Sequence, residues 1–257
     1  MKIWRFPGSG AVALGCLVFL YLPIVVLIGF SFSDSDSLAQ WAGFSLRWYR
    51  EVLENDDLTR AIRNSVIVAA GAAPVATLGA TLAALARGRF RGRRAAETVI
   101  GLPLVVPEIV AGISILLFFV LVGLRLGLLS VVLAHIALLL PVAYLPIRAR
   151  LEGIDPALAE AAADLYAGPI RAFGRVTLPL IWPGIAVGGM LAGIGSLGDF
   201  VVSYFVCGPG STTLPVYVFG MVRMGVTPVV NAVSSLLIGV SVCVFAASRL
   251  YDRASQP

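Results

Sequence analysis

The feature that most constrains this chain is a series of long uncharged runs separated by short polar segments. Phe6 to Ser33 carries no charged residue, and neither does Asn64 to Ala86. Each exceeds the roughly 20 residues that a helix needs to cross the hydrocarbon core of a bilayer. The first run is also too long for a secretory signal, whose apolar region spans about 7–15 residues, so a retained first span is expected. Composition agrees: 59% of the 257 residues are apolar and 13% charged, where globular domains average about 45–50% and about 25%.

Four further apolar runs follow. Thr98 to Leu124 is broken by Pro103, Pro107 and Glu108, and Leu126 to Ile147 contains His135, Pro141 and Pro146. A fifth extends from about Val176 to Val202 with Asp199 near its end, and a sixth from about Val229 to Ser248. The expected fold is therefore an all-α membrane protein with six transmembrane helices, forming one domain over residues 1–257. Pro74, after a small-residue patch, predicts a kinked and closely packed second helix.

Charge orients these spans. Lys2, Arg5, Arg87, Arg89, Arg91, Arg93, Arg94, Arg148, Arg150, Arg171, Arg175, Arg249 and Arg253 fall on one side. The positive-inside rule makes that side, with both termini, cytoplasmic. Arg47, Arg50, Arg60, Arg63, Arg125 and Arg223 lie outside, four of them in one long acidic loop where the rule is weak. That loop holds Trp41, Trp48 and Tyr49 as expected interface anchors. The five arginines at 87–94 lack aromatic interleaving and adjoin a membrane run, so they mark an inner end and not a nucleic-acid surface. Cys16, Cys207 and Cys243 are too scattered for a disulfide frame or a metal site.

The polar segment Asp155 to Pro179 then lies in the cytoplasm. Asp155 has the chemistry of an N-cap, Pro156 suits the first helical position, and Ala157 to Leu165 favour a helix that Gly168 and Pro169 close. Glu160 and Asp164, four apart, share one face, and the alanines leave a low surface suited to a groove on another protein. The plain alternative is a solvated loop helix.

The Glu160-Ala161-Ala162 triplet followed by Val176-Thr177-Leu178-Pro179 resembles the EAA loop of ABC-transporter permeases. Leu22 to Val26, Trp41 to Phe44 with Trp48-Tyr49, Arg89 to Gly92, Ala134-His135, Gly208 to Pro215, Val222 to Pro228 and Asn231-Ala232 look like the spermidine/putrescine branch. The resemblance implies a type I importer fold whose coupling loop, about 150–176, seats Glu160, Ala161, Ala162, Asp164, Leu165, Tyr166 and Gly168 on an ATPase. It also implies a second homologous permease, a pair of ATPase subunits and an extracytoplasmic binding protein that delivers a polyamine. Tyr166 stands where the family usually has glycine, with Gly168 two residues later. Either the turn shifts to Gly168 or Tyr166 fills part of the ATPase groove.

What the chain lacks fits this division of labour. Its one lysine is Lys2, so no P-loop is present; ATP is expected on partner subunits, with no cofactor or catalytic residue here. A polycation needs acidic groups along its path, and Glu108 and Asp199 are the acids inside the apolar runs. The resemblance supports both, although Gly198 replaces the first of two aspartates common in that branch. Without a cation to meet, Glu108 would be satisfied by backbone freed at Pro103 and Pro107, and Asp199 by Arg223. Tyr204 and Phe205 are candidates for an outer gate or for stacking on an ammonium, with interfacial anchoring as the alternative. His135 has no second titratable group in sequence reach, so a hydrogen-bonded packing role is expected over proton relay. Within the class the main alternative is a permease for another small solute, such as a different amine, an iron complex or an organophosphonate, and two rivals from other classes stand beside this reading. One is a self-sufficient channel. The other is an intramembrane serine protease built on Gly193-Ile194-Gly195-Ser196 and His135, in which Ile194 occupies a position that Gly-x-Ser would give to glycine.

Overall fold

The computed structural model describes residues 9–37, 40–86, 93–155, 157–224, 227–239 and 242. Calls that rest on Lys2, Arg5, Arg87, Arg89, Arg91, Pro156, Cys243, Arg249 and Arg253 lie outside those residues, as do the side chains of Arg93, Arg94 and Glu160. Among the described residues the chain is helical, with a single isolated β-bridge between Ser33 and Phe44.

Two compact units are present, one formed by residues 1–59 with 218–257 and the other by 60–217. In the first, α1 (Ser9–Phe30) is uniformly apolar and exposed along its length, as a lipid-facing helix must be. Its end is fastened to α2 (Arg47–Glu54). Trp48 Nε1 donates to the Ser33 carbonyl at 2.7 Å, Tyr49 Oη and Ser31 Oγ lie 2.6 Å apart, and Phe32 packs against both Phe44 and Tyr49. Trp48 is therefore buried, which corrects the expectation that it anchors at a membrane interface. An indole with its N–H committed to a backbone carbonyl ties two segments of the chain together.

The 31-residue α3 (Asp56–Ala86) begins eight residues before the second apolar run. Asn55 caps it by accepting a hydrogen bond from the Leu58 N–H at 2.9 Å. Ala72, Ala73, Ala76, Ala80 and Ala84 recur at three- and four-residue intervals and are buried. Such a stripe lets backbones approach closely, and it packs with Leu139, Ala143, Tyr144 and Ile147 of α6 (Leu128–Glu152) and Ala192 of α9 (Leu178–Gly198).

The third apolar run is two helices, α4 (Arg93–Val105) and α5 (Glu108–Leu121), bent by 109° at a short break. Pro107 has no N–H to continue the ladder and drives Val106 out of helical geometry, which is why the chain turns there. Among the described residues, four helices are long and apolar enough to cross a membrane, or up to five if the bent pair is one span. Of the sixth run, the described part is a shorter helix, α12 (Pro228–Gly239), which follows α11 (Leu214–Met224).

α6 packs extensively against α9. A Cβ on Gly184 would lie 3.1 Å from the Pro146 carbonyl oxygen, and one on Gly188 would lie 2.8 Å from that of Ala143. Gly189 turns toward Thr77 of α3, whereas Gly193 has open space beside it. After Gly198 the helix stops, Asp199 is extended, and the short α10 (Val201–Val206) packs on α5 and α6. Asn64 Nδ2 donates to the carbonyls of Gly210 and Thr212, both at 3.0 Å, and Ser65 Oγ accepts from the Leu214 N–H at 2.8 Å. The Gly208 to Leu214 loop is thereby held on the start of α3.

Candidate functional site

Two places carry the candidate residues, both within the 60–217 unit. The first is the polar segment Asp155 to Pro179. Asp155 Oδ1 accepts from the Ala157 N–H at 2.9 Å, so the expected N-cap forms and α7 (Ala157–Asp164) follows. The helix ends differently from expectation. Tyr166 adopts φ +57, and the Ala167 N–H returns to the Ala162 carbonyl at 3.0 Å. This six-to-one bond closing over a left-handed residue is the Schellman type of helix end. Gly168 does not close α7; it is extended and precedes α8 (Pro169–Ala172). The turn is thus not shifted, and Tyr166 holds the backbone shape that glycine adopts most easily.

On this loop Ala161 and Asp164 are exposed and Ala162 is buried. Leu165, Tyr166 and Ile170 present large apolar surfaces, with Tyr166 96% exposed. From α8 the chain enters a π-helical turn, Phe173–Thr177, in which the Leu178 N–H bonds the carbonyl of Phe173 five residues back. Pro179 follows immediately and has no N–H for an α-helical ladder, so the wider turn absorbs it.

The second place is a cavity of ≈ 570 Å³. Glu108, at the first turn of α5, and Asp199, in the break between α9 and α10, both line it. The Pro107 bend puts Glu108 at a helix N-terminus, where the helix dipole favours a carboxylate. Sequence separates these acids by 91 positions, and the fold brings them to one space. Tyr204 is not among the lining residues; it packs on Phe200 and Phe205 at ring-centroid distances of 5.5 and 5.8 Å, and Phe200 lines the cavity instead.

Asp199 is held by His135. His135 Nε2 lies 3.2 Å from Asp199 Oδ2 and 3.0 Å from Ser203 Oγ, its Nδ1 lies 2.8 Å from Ser196 Oγ, and the Ser203 N–H donates to Asp199 Oδ2 at 2.8 Å. The ring is 1% exposed. The expected hydrogen-bonded packing of His135 is present, but the premise that no titratable group stands beside it is overturned. Contacts across 64 residues of sequence carry no local signal.

Ser196, His135 and Asp199 stand in contact in the order of a hydrolytic triad, yet they lack what hydrolysis needs. Ser196 is buried inside α9 and does not line the cavity. Its neighbouring backbone N–H groups lie within the helix, so no pair of donors faces a developing oxyanion.

A family model described as the binding-protein-dependent transport system inner membrane component matches residues 76–256. The chain belongs to that family. This inner membrane component is 39% identical to the putrescine transport system permease protein PotI of Escherichia coli (strain K12), over 100% of the chain and 95% of that protein. It is also 39% identical to the spermidine/putrescine transport system permease protein PotC of Haemophilus influenzae, over 91% of the chain and 92% of that protein. The fold matches a bacterial ABC transporter involved in the import of the acidic polysaccharide alginate, with TM-score 0.75 and 18% identity over 98% of this chain and 99% of that one. An amino acid ABC transporter matches with TM-score 0.63 and 16% identity, over 80% and 98%. The chain is a multi-pass inner-membrane protein and a non-catalytic transport subunit, which removes the protease reading.

Proposed function

We propose that this permease forms half of the translocation path of an ATP-driven importer of polyamines. The observation that carries the reading is the single cavity lined by Glu108 and Asp199. A polyamine carries several ammonium groups, and moving it through low-dielectric surroundings requires fixed negative charge along the way. Two carboxylates on one aqueous space supply that charge, and the relatives that align over nearly the full chain are putrescine and spermidine/putrescine permeases. A molybdenum permease, ModB of Escherichia coli, aligns over 54% of the chain, which keeps another small solute as the second reading.

The remaining parts follow from the same machine. The loop of Glu160, Ala161, Ala162, Asp164, Leu165, Tyr166 and Gly168 seats on one of two partner ATPase subunits, which bind the ATP. Its exposed Leu165, Tyr166 and Ile170 give that contact an apolar centre. A second homologous permease completes the path, an extracytoplasmic binding protein delivers the solute, and six spans place both termini in the cytoplasm.

The test is uptake of radiolabelled spermidine and putrescine by the complete transporter. Asp199→Asn and Glu108→Gln are expected to cut uptake at least tenfold together, the scale of losing about 1.4 kcal/mol of cation stabilisation, with assembly intact by co-purification. Normal uptake in the double variant removes both residues from the path. Normal binding of a different solute by the companion binding protein, with none of polyamines, replaces the substrate class.

A further inference from the structure

We infer that His135 is the positioning residue for the cation-facing carboxylate of Asp199. The inference rests on the reading that Asp199 meets the transported cation. Asp199 lies in extended backbone between two helices and has no helix of its own to fix it. Its Oδ2 is held twice, by the Ser203 N–H at 2.8 Å and by His135 Nε2 at 3.2 Å. The side chain lines the cavity. The carboxylate is anchored to protein through Oδ2 where it borders the cavity.

The histidine is arranged for this task. An ionised carboxylate only accepts hydrogen bonds, so the ring proton facing it sits on Nε2, shared between Asp199 Oδ2 and Ser203 Oγ. Nδ1 of the neutral ring then accepts from the Ser196 hydroxyl at 2.8 Å. That bond fixes the tautomer and the ring plane, as a group behind a working imidazole does. A ring N–H orients the carboxylate through a hydrogen bond. His135 belongs to α6, Ser196 to α9 and Ser203 to α10, so one side chain joins three elements around the acid.

Glutamine and asparagine separate positioning from packing. The Gln amide nitrogen reaches the place of Nε2 and preserves the donor to Asp199, whereas Asn reaches only the place of Nδ1 and preserves the contact with Ser196. The measurement is equilibrium binding of radiolabelled spermidine to the purified full transporter without its binding protein, with basal ATP hydrolysis and thermal stability recorded for each variant. Expected is an affinity about tenfold weaker for His135→Asn, as for loss of one hydrogen bond to a charged group, and near wild type for His135→Gln. Ser196→Ala, which frees the tautomer without touching the acid, is expected to weaken binding about threefold and serves if His135→Asn does not assemble. Equal loss in the Gln and Asn variants, or wild-type affinity in both His135→Asn and Ser196→Ala, overturns the inference. Asp199→Asn run alongside separates the two claims: if it binds spermidine normally the pathway reading itself fails, and if it alone binds weakly only the positioning role fails.

Discussion

At the scale of single residues, Tyr166 carries a conformation that its side chain disfavours. A left-handed residue other than glycine costs roughly 1–2 kcal/mol, and Tyr166 sits at φ +57 with its ring exposed and no intramolecular packing to offset the strain. Tyr166→Gly is therefore expected to raise the local stability of the α7 end by about 1 kcal/mol, read as slower hydrogen exchange at the Ala167 amide. If the ring seats in the ATPase groove, the same variant will lose ATPase during purification despite its more stable loop. Unchanged exchange at Ala167 means that the strain is already relieved in solution. The departure at 166 was visible in sequence because the family places glycine there; that the tyrosine keeps the glycine's backbone shape was not, since side-chain identity argues against it. Glu108 and Asp199 were legible as rare charges in apolar runs. His135, Ser196 and Ser203 around Asp199 were not legible as a group, because helix packing alone unites positions 135, 196, 199 and 203.

At the scale of elements, the contact of α6 with α9 depends on missing side chains. Gly188→Leu places carbon where the Ala143 carbonyl stands, 2.8 Å from the first added atom, and a carbonyl on a helix backbone has little room to yield. The helices must separate, which also displaces His135 from Ser196 and Asp199. The expected result is a fall in melting temperature of several degrees and loss of spermidine binding. Gly193→Ala, with open space around the added methyl, is expected to be neutral or to stabilise by up to about 1 kcal/mol from helix propensity. Equal behaviour of the two variants in thermal denaturation contradicts this packing. Only the packed helices show that Gly184 and Gly188 face α6, that Gly189 faces α3 and that Gly193 faces neither. Likewise the prolines of the third run announced a break, while the 109° turn and the delivery of Glu108 to the cavity depend on where α5 finds Val202 and Val206 to pack on.

At the scale of the whole molecule, the proposed function has energy entering at a loop and being used at a cavity. Disrupting residues 160–168 by proline substitution on α7 is expected to release the ATPase from the purified complex and to abolish uptake while the membrane helices remain folded by circular dichroism. Retention of the ATPase by such a variant contradicts the coupling role. Apolar runs made the membrane class readable; the number of spans is less so, because a run interrupted by proline can be one bent crossing or two helices.

The helical stretch Pro169–Gly198 links these two ends as one 30-residue rod, about 45 Å long at 1.5 Å per residue. The π turn at Phe173–Thr177 inserts one extra residue into its helical repeat. An extra residue advances everything beyond it by about 100° of azimuth. The turn therefore sets the phase between the direction in which the loop is presented and the direction in which Ser196 meets His135. A rod of this kind conveys twist as faithfully as thrust, and its two ends stay in register only while that one residue of slack remains.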